Sequence, residues 1–360
     1  MNRSTAPPAL PIAEYDFDLP PDLIAQTPLA ERDASRLLVL DRDSGAISHQ
    51  AIRDLPGCLR PGDLIVANNS RVIPARLRAV KERTGGAVEL LLLRRDDNGV
   101  WEALAKPSRR LRRGDRLLVR SRRTPDDPGA TIDVRRVGDE GRIEIVFARA
   151  ADERLDEYGE APLPPYIRTA LEDPERYQTT YATVPGSAAA PTAGLHVTPA
   201  LRDALSDRGV GWAEVTLHVG LDTFRPIASA DARDHRIHRE WCAVDDAVAE
   251  RIARCKAEGG RVIAVGTTSA RTLETLGAVW RPSDPRGWSG LTDEFILPGH
   301  RWRIVDGLLT NFHLPRSSLL LLVGALAGWD RVRAAYREAI ERRYRFFSFG
   351  DAMLIVPERR

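Results

Sequence analysis

Between Gly62 and Phe147 the chain repeats one hydrophobic rhythm: LIVAN (64–68), VELLLL (88–93), WEALA (101–105), RLLVR (116–120), ATIDVRR (130–136) and RIEIVF (142–147). Their spacing is near the ~8–12 residues per strand of a small all-β unit, and no long 3.6-residue pattern interrupts them. This predicts an antiparallel β-barrel domain over 62–152. On either side the rhythm is that of strands leading into helices. RLLVLD (36–41) reads as a strand closed by the hairpin turn Asp43-Ser44-Gly45. Thr198 as N-cap and Pro199 at the first helical position start a short helix that Gly209 ends, followed by a buried strand over 212–219 that Gly220 ends. The apolar run 261–265 turns at Gly266-Thr267-Thr268-Ser269 into the helix ARTLETLGA, a strand-like segment enters Thr310-Asn311, and 330–343 is an amphipathic, basic helix. The expected fold is an α/β main domain, discontinuous over 14–61 and 153–360, with the small antiparallel β-barrel inserted in it. Residues 1–13 read as a flexible tail, 281–290 as a surface loop, and PLPPYI (162–167) as a stiff domain crossing or a cleft wall.

Composition narrows the class. With 360 residues, 43% hydrophobic and 29% charged, the chain has apolar material for more than one domain. Its longest apolar run, 319–329, is shorter than the ~18 residues of a membrane span, and the N-terminus lacks a signal-peptide core, so a cytoplasmic protein without membrane contact is expected. Cys58, Cys242 and Cys255 form no CxxC pair, which speaks against a disulfide framework or a thiolate zinc site. A net charge of +2 excludes a generally basic surface but not a local one. Segment 106–123 holds nine basic residues and one acid, Asp115. Lys106, Arg109, Arg110, Arg112 and Arg113 are therefore candidates for a nucleic-acid backbone contact, against the plainer reading of a solvated hairpin.

The chemistry gathers at element ends. His196 stands at a helix mouth and His218 at the end of a strand, so both are expected to face one cleft, since open α/β sheets bind ligands at that edge. His313 lies at a strand-to-helix passage. His235 and His238 have metal-ligand spacing only on a helix, and neither a third ligand nor an HExxH pattern accompanies them, so no metal is expected. The free N–H groups and hydroxyls of Gly266, Thr267, Thr268 and Ser269 suit a carboxylate or phosphate, although a plain cap explains the hydroxyls equally. Phe346 and Phe347 offer rings for stacking on a purine, with core packing as the alternative.

The ordered segments NNSRVIPARL, PLPPYI, AAPTAGLH, TLHVG, DHRIHRE, VIAVGTTSARTLE, TNFHLP and YRFFSFGDAM resemble the S-adenosylmethionine:tRNA ribosyltransferase-isomerases of queuosine biosynthesis, over 15–355. The resemblance implies an α/β fold with an inserted β-barrel, no metal and no cofactor, and S-adenosylmethionine as cosubstrate. The implied reaction transfers and isomerises its ribosyl part onto 7-aminomethyl-7-deazaguanine in the tRNA anticodon loop, giving epoxyqueuosine-tRNA, adenine and methionine. A monomer is expected. The sulfonium acidifies the neighbouring C5′ hydrogens, so one positioned base starts the chemistry, and histidine suits the task. His196, His218, His235, His238 and His313 are candidates, with Asp234 and Asp351 as orienting carboxylates; the sequence leaves their ranking open. Candidate substrate-binding residues are Asn69, Arg71, Arg76, Thr192, Gly194, Gly220, Thr223, Gly266, Thr267, Thr268, Ser269, Arg271, Asn311, Phe346, Phe347 and Asp351. Two positions depart from the family pattern: Asp222 replaces a usual glycine and Val197 a usual phenylalanine. A tRNA methyltransferase would use the same cosubstrate but lacks a G-x-G loop here, and a pure RNA-binding module would not need so many histidines at element ends. Release of free adenine separates the three.

Overall fold

The computed structural model describes residues 9–122, 124, 127–220 and 226–357. Its main domain is built on a nine-stranded sheet, in the order Trp288–Thr292, Glu240–Val244, Gly211–Leu217, Leu64–Asn68, Val262–Val265, Gly307–Asn311, Ala352–Val356, Arg36–Asp41, Ile47–Ala51. The four strands from Gly211–Leu217 to Gly307–Asn311 run parallel. Ala352–Val356 is antiparallel to them and leads out of the same edge in the reverse sense. Helices cover both faces, which is why 64–67 and 262–265 at the centre of the sheet are apolar at every position rather than alternating. Leu64, Val66, Val262, Ala264 and Leu308 point into one core beneath the helices Asp246–Ala257, Gly266–Gly277, Ser318–Ala327 and Trp329–Glu341. Ile65, Ala67, Ile263, Val265 and Leu309 point to the other face, against Leu55–Cys58 and Pro199–Asp207. The short helix at 199–207 forms as its cap predicts: the Thr198 side chain accepts from Leu201 N–H, and Gly209 leaves it at φ +72°.

The inserted domain is a closed antiparallel barrel of six strands, Arg76–Lys81, Ala87–Arg95, Val100–Lys106, Arg142–Phe147, Ala130–Val137 and Arg116–Val119, the last pairing back on the first. Period-2 alternation turns Leu77, Leu90, Ala103, Leu117, Ile132 and Ile145 inward as its core. The α/β architecture with an inserted barrel is therefore the observed one.

Three sequence expectations change. Leu64–Asn68 does not begin the barrel but lies in the middle of the large sheet, buried on both faces. The barrel opens instead with Arg76–Lys81, whose two buried positions, Leu77 and Ala79, left too faint a pattern to read. The segment expected as part of a loose tail is pinned at its end, because Ile12 N–H donates to Ala230 O at 3.0 Å and Leu10 N–H to Asp231 Oδ2 at 3.2 Å. Likewise 288–290, expected in a surface loop, belongs to the edge strand Trp288–Thr292 paired with Glu240–Val244.

Candidate active site

The parallel strands end together, and Asn68 ties those ends. Its Nδ2 donates to Leu217 O at 2.9 Å and to Thr268 Oγ1 at 3.2 Å, while its Oδ1 accepts from Ser70 N–H and Leu217 N–H. A fully buried amide with both ends satisfied fixes the edge on which a site is built. The sequence reading singled out the neighbour instead. Asn69 serves the turn: its Oδ1 accepts from Thr216 Oγ1 at 2.8 Å, and its backbone bonds Val215, Thr183 and Val184.

Above this edge lies a cavity open to solvent. The helix start at Gly266, Thr267 and Thr268 forms one wall, 310–314 a second, and Thr192, Tyr166, Phe347 and Ser348 close the rest. Gly266 holds φ +85°, a conformation a side chain would strain, and no side chain caps the helix behind it. Thr192 Oγ1 donates to Asn311 Oδ1 at 3.0 Å, and Asn311 Nδ2 donates to His196 Nε2 at 3.2 Å. His196 thus keeps Nε2 proton-free and turns Nδ1 toward Arg32 O at 3.4 Å, and burial pushes its pKa down to about 4. His313 stands on the cavity wall itself, the one histidine to do so among the described residues. Thr310 Oγ1 lies 2.8 Å from its Nε2, its backbone N–H donates to Tyr336 Oη at 2.9 Å, and burial lowers its pKa to about 3. Phe347 adopts φ +69°, a conformation an aromatic residue rarely takes, held by its N–H to Phe312 O at 3.1 Å. Its ring meets Tyr166 at 4.8 Å between centroids, and Tyr166 Oη in turn meets Ser348 Oγ at 2.7 Å. No charged side chain among the described residues lines this cavity.

A second cavity shares Thr267, Thr268 and Leu319 with the first. His235, His238, Glu240, Arg271, Glu294 and Phe295 are on its walls. Arg271 braces it: the guanidinium pairs with buried Glu240 and donates to His238 O, Thr292 O and Glu294 O at 2.8, 3.2 and 2.9 Å. Glu240 Oε1 also accepts from Gly220 N–H at 2.8 Å. His235 meets Phe295 edge-on at 5.7 Å, and its pKa is lowered, first by burial and then by His238. His235 and His238 follow the short turn Ala232–Asp234 in extended chain, not on a helix, and His238 Nδ1 lies 3.2 Å from Nη2 of the barrel residue Arg142.

The remaining candidates lie elsewhere. His196 and His218 do not face one cleft: neither ring is on a wall of either cavity. His218, just past the strand Gly211–Leu217, turns away while its neighbour Val219 faces the first cavity. Its Nδ1 is 2.8 Å from Ser70 Oγ, its ring stacks on Trp241 at 5.2 Å, and burial pushes its pKa down to about 4. Gly186 lets it fit, since a Cβ there would come within 2.6 Å of Nε2. Phe346 is wholly in the core with Phe17, Phe312 and Tyr336, and Ser269 Oγ returns to Val265 O at 2.7 Å. Gly194 is a packing residue whose Cβ would strike Tyr181 Oη at 2.0 Å. Asp351 lies below the site and ties Arg36, as Arg71 is tied to Glu175 at 2.5 Å; Arg76 is in the barrel, and Asp234 is exposed. Thr223 and Asp222 lie outside the described residues. On the barrel, Lys106 closes one strand, and Arg109, Arg110, Arg112 and Arg113 are exposed on the loop to the next. Asp115 holds that loop through Arg112 N–H and a 2.8 Å ion pair with Lys81. Sequence reasoning missed Tyr166, Thr310, Ser348, Glu240, Glu294 and Phe295 as wall residues; only the stiffness of PLPPYI hinted at the first.

The model of a family described as queuosine biosynthesis protein matches residues 12–355. The chain belongs to that family. Among curated relatives, the S-adenosylmethionine:tRNA ribosyltransferase-isomerase of Symbiobacterium thermophilum is 51% identical over 355 residues, covering 96% of this chain and 99% of the relative. The protein of the same name from Carboxydothermus hydrogenoformans is 50% identical over 345 residues, with the same coverage of 96% and 99%. Among solved structures, the crystal structure of S-adenosylmethionine tRNA ribosyltransferase from Thermotoga maritima is 39% identical, with a TM-score of 0.54 over 95% of this chain and 100% of that one. Membership makes this queuosine-biosynthesis chain a transferase. No helix among its described residues is long and apolar enough to cross a membrane.

Proposed function

We propose that this chain transfers and isomerises the ribosyl moiety of S-adenosylmethionine onto 7-aminomethyl-7-deazaguanine in the tRNA anticodon loop, releasing adenine and methionine and leaving epoxyqueuosine-tRNA. The observation that carries the reading is the uncharged first cavity with His313 as its one histidine among the described residues. An adenosyl group is neutral in its base and ribose, and it suits the hydroxyl- and amide-lined wall of Thr192, Thr310, Asn311 and Ser348. Phe347 and Tyr166 offer ring faces to a purine or to the sulfonium, whose positive charge is attracted by aromatic quadrupoles. The uncapped N–H groups at Gly266, Thr267 and Thr268 suit the methionine carboxylate.

His313 is the base in this reading. Burial keeps its imidazole uncharged at neutral pH, the form a base must have, and in this reading Nε2–H donates to Thr310 Oγ1, leaving Nδ1 to take the C5′ proton. His196 acts one step back, by holding Asn311 and through it Thr192. Tyr166 and Ser348 close the wall opposite, so that water is kept from the carbanion next to sulfur. The test is adenine release in single-turnover reactions with excess enzyme. His313→Gln is expected to slow the chemical step by ~10²- to 10⁴-fold with cosubstrate binding retained, while folded His218→Gln keeps the wild-type rate. Wild-type release from folded His313→Gln moves the base elsewhere; no adenine from the wild-type protein refutes the reaction itself.

A further inference from the structure

We propose that the second cavity is the acceptor compartment, taking the flipped-out, amine-bearing guanine-type base of the tRNA, with Phe295 against its ring and Glu294 on its donor edge. This rests on the reaction proposed above and divides its two substrates between the two cavities. The division follows from charge and hydrogen-bond polarity. A guanine-type base presents two adjacent donors, the ring N–H and the exocyclic amine, and this one adds a cationic aminomethyl arm. Such a ligand needs acceptors and negative charge. The first cavity has neither carboxylate nor other charge among its described wall residues, whereas the second has Glu240 and Glu294.

Of the two carboxylates, Glu240 is already committed to Arg271 and to Gly220 N–H. Glu294 is less committed. Its side chain is 25% exposed, and its ion-pair contacts are long, 3.6 Å to His300 Nδ1 and 3.9 Å to Arg303 Nη1. It therefore retains lone pairs for a ligand. Phe295, next in sequence and only partly buried, gives an aromatic face on the same wall, and a flipped base is ordinarily held by such a ring together with contacts to its Watson–Crick edge. The position is also right. The two cavities meet at Thr267, Thr268 and Leu319, so ligands in them meet across one short boundary, as a transfer between them requires. His238, on the wall of the second cavity, contacts Arg142 of the barrel, so this compartment lies where the two domains come together.

The experiment uses the full-length protein and two tRNAs identical except for 7-aminomethyl-7-deazaguanine or an abasic site at the modified position. The difference in their affinities isolates the base from the phosphate backbone. Glu294→Gln and Phe295→Leu are compared with wild type, each after a melting curve, with S-adenosylmethionine affinity measured by calorimetry on the same samples. The expected result is that the preference for the aminomethylated tRNA falls at least ~10-fold, the scale of removing one charge-assisted hydrogen bond, while S-adenosylmethionine affinity stays within about 2-fold. An intact preference overturns the proposal, and does so most directly if S-adenosylmethionine binding falls instead, which assigns the cavity to the methionine part. Glu294 is partly exposed and Phe295→Leu is conservative, so a folding failure in one leaves the other to decide. Adenine release by the wild-type protein, checked first, keeps a failure of this assignment separate from a failure of the reaction.

Discussion

Asp351 tests whether a buried carboxylate beneath the cavity binds substrate or only supports the edge. Its side chain is 1% exposed. Oδ1 accepts from Arg36 N–H at 2.9 Å, and Oδ2 accepts from Arg36 Nε at 3.1 Å, Arg36 Nη2 at 2.8 Å and Arg345 N–H at 2.8 Å. One carboxylate thus joins the strand Arg36–Asp41 to the turn that enters Ala352–Val356, its parallel neighbour. In Asp351→Asn one oxygen still serves Arg36 N–H, but an amide NH₂ then faces the Arg345 N–H and the guanidinium. The guanidinium is 41% exposed and turns to water, so its share is discounted. An unpaired main-chain donor costs about 1–3 kcal/mol, and the discounted loss of the bonds to the guanidinium adds about 0–1 kcal/mol, for an expected loss of about 1–4 kcal/mol. Urea unfolding followed by tryptophan fluorescence measures it. In the folded variant, S-adenosylmethionine affinity by calorimetry is expected within about 3-fold of wild type, because the carboxylate is on neither cavity wall. A loss below about 1 kcal/mol, or binding abolished in a folded variant, refutes the reasoning.

Acid is expected to destabilise the protein through its buried histidines. His196, His218 and His313 have folded-state pKa values lowered from 6.5 to about 4, 4 and 3, so the unfolded chain takes up protons first as pH falls. Their contribution is complete above pH ~6.5 and declines below it toward the folded-state values, at about 1.4 kcal/mol per pH unit for each histidine. Urea midpoints between pH 8 and 5 check this, and His313→Gln should remove one histidine's share of the slope; a flat profile contradicts it. On the barrel, replacing Arg109, Arg110, Arg112 and Arg113 together with Ala is expected to weaken tRNA binding and to reduce the log–log salt slope by ~0.7–0.9 for each phosphate no longer neutralised. A filter-binding titration with an unchanged slope removes this loop from the tRNA surface.

Much of the architecture was written locally. Five of the six barrel strands were legible as apolar runs at strand spacing, with a period of two plain in Ala130–Val137 and Arg142–Phe147, which have one face in a core and one in water, and the Thr198-Pro199 start of the helix Pro199–Asp207 is a matter of its own first turn. The ordered motifs named the family, and the ends of buried strands marked the edge where the cavities lie. Other features needed the tertiary structure. LIVAN is buried on both faces, so it has no alternation to tell a barrel strand from a sheet centre, and only its partners Gly211–Leu217 and Val262–Val265 decide. Five histidines at element ends looked alike, yet His313 reaches the first cavity, His235 and His238 the second, while His196 and His218 turn behind the walls. Side-chain direction at a strand end depends on what packs against it. For His218 that is Trp241 and Gly186, which are 23 and 32 residues away. The pairing of Arg271 with Glu240, which takes a cation the sequence offered to substrate and gives it to the wall, is of the same kind: it spans two elements whose approach no local pattern encodes.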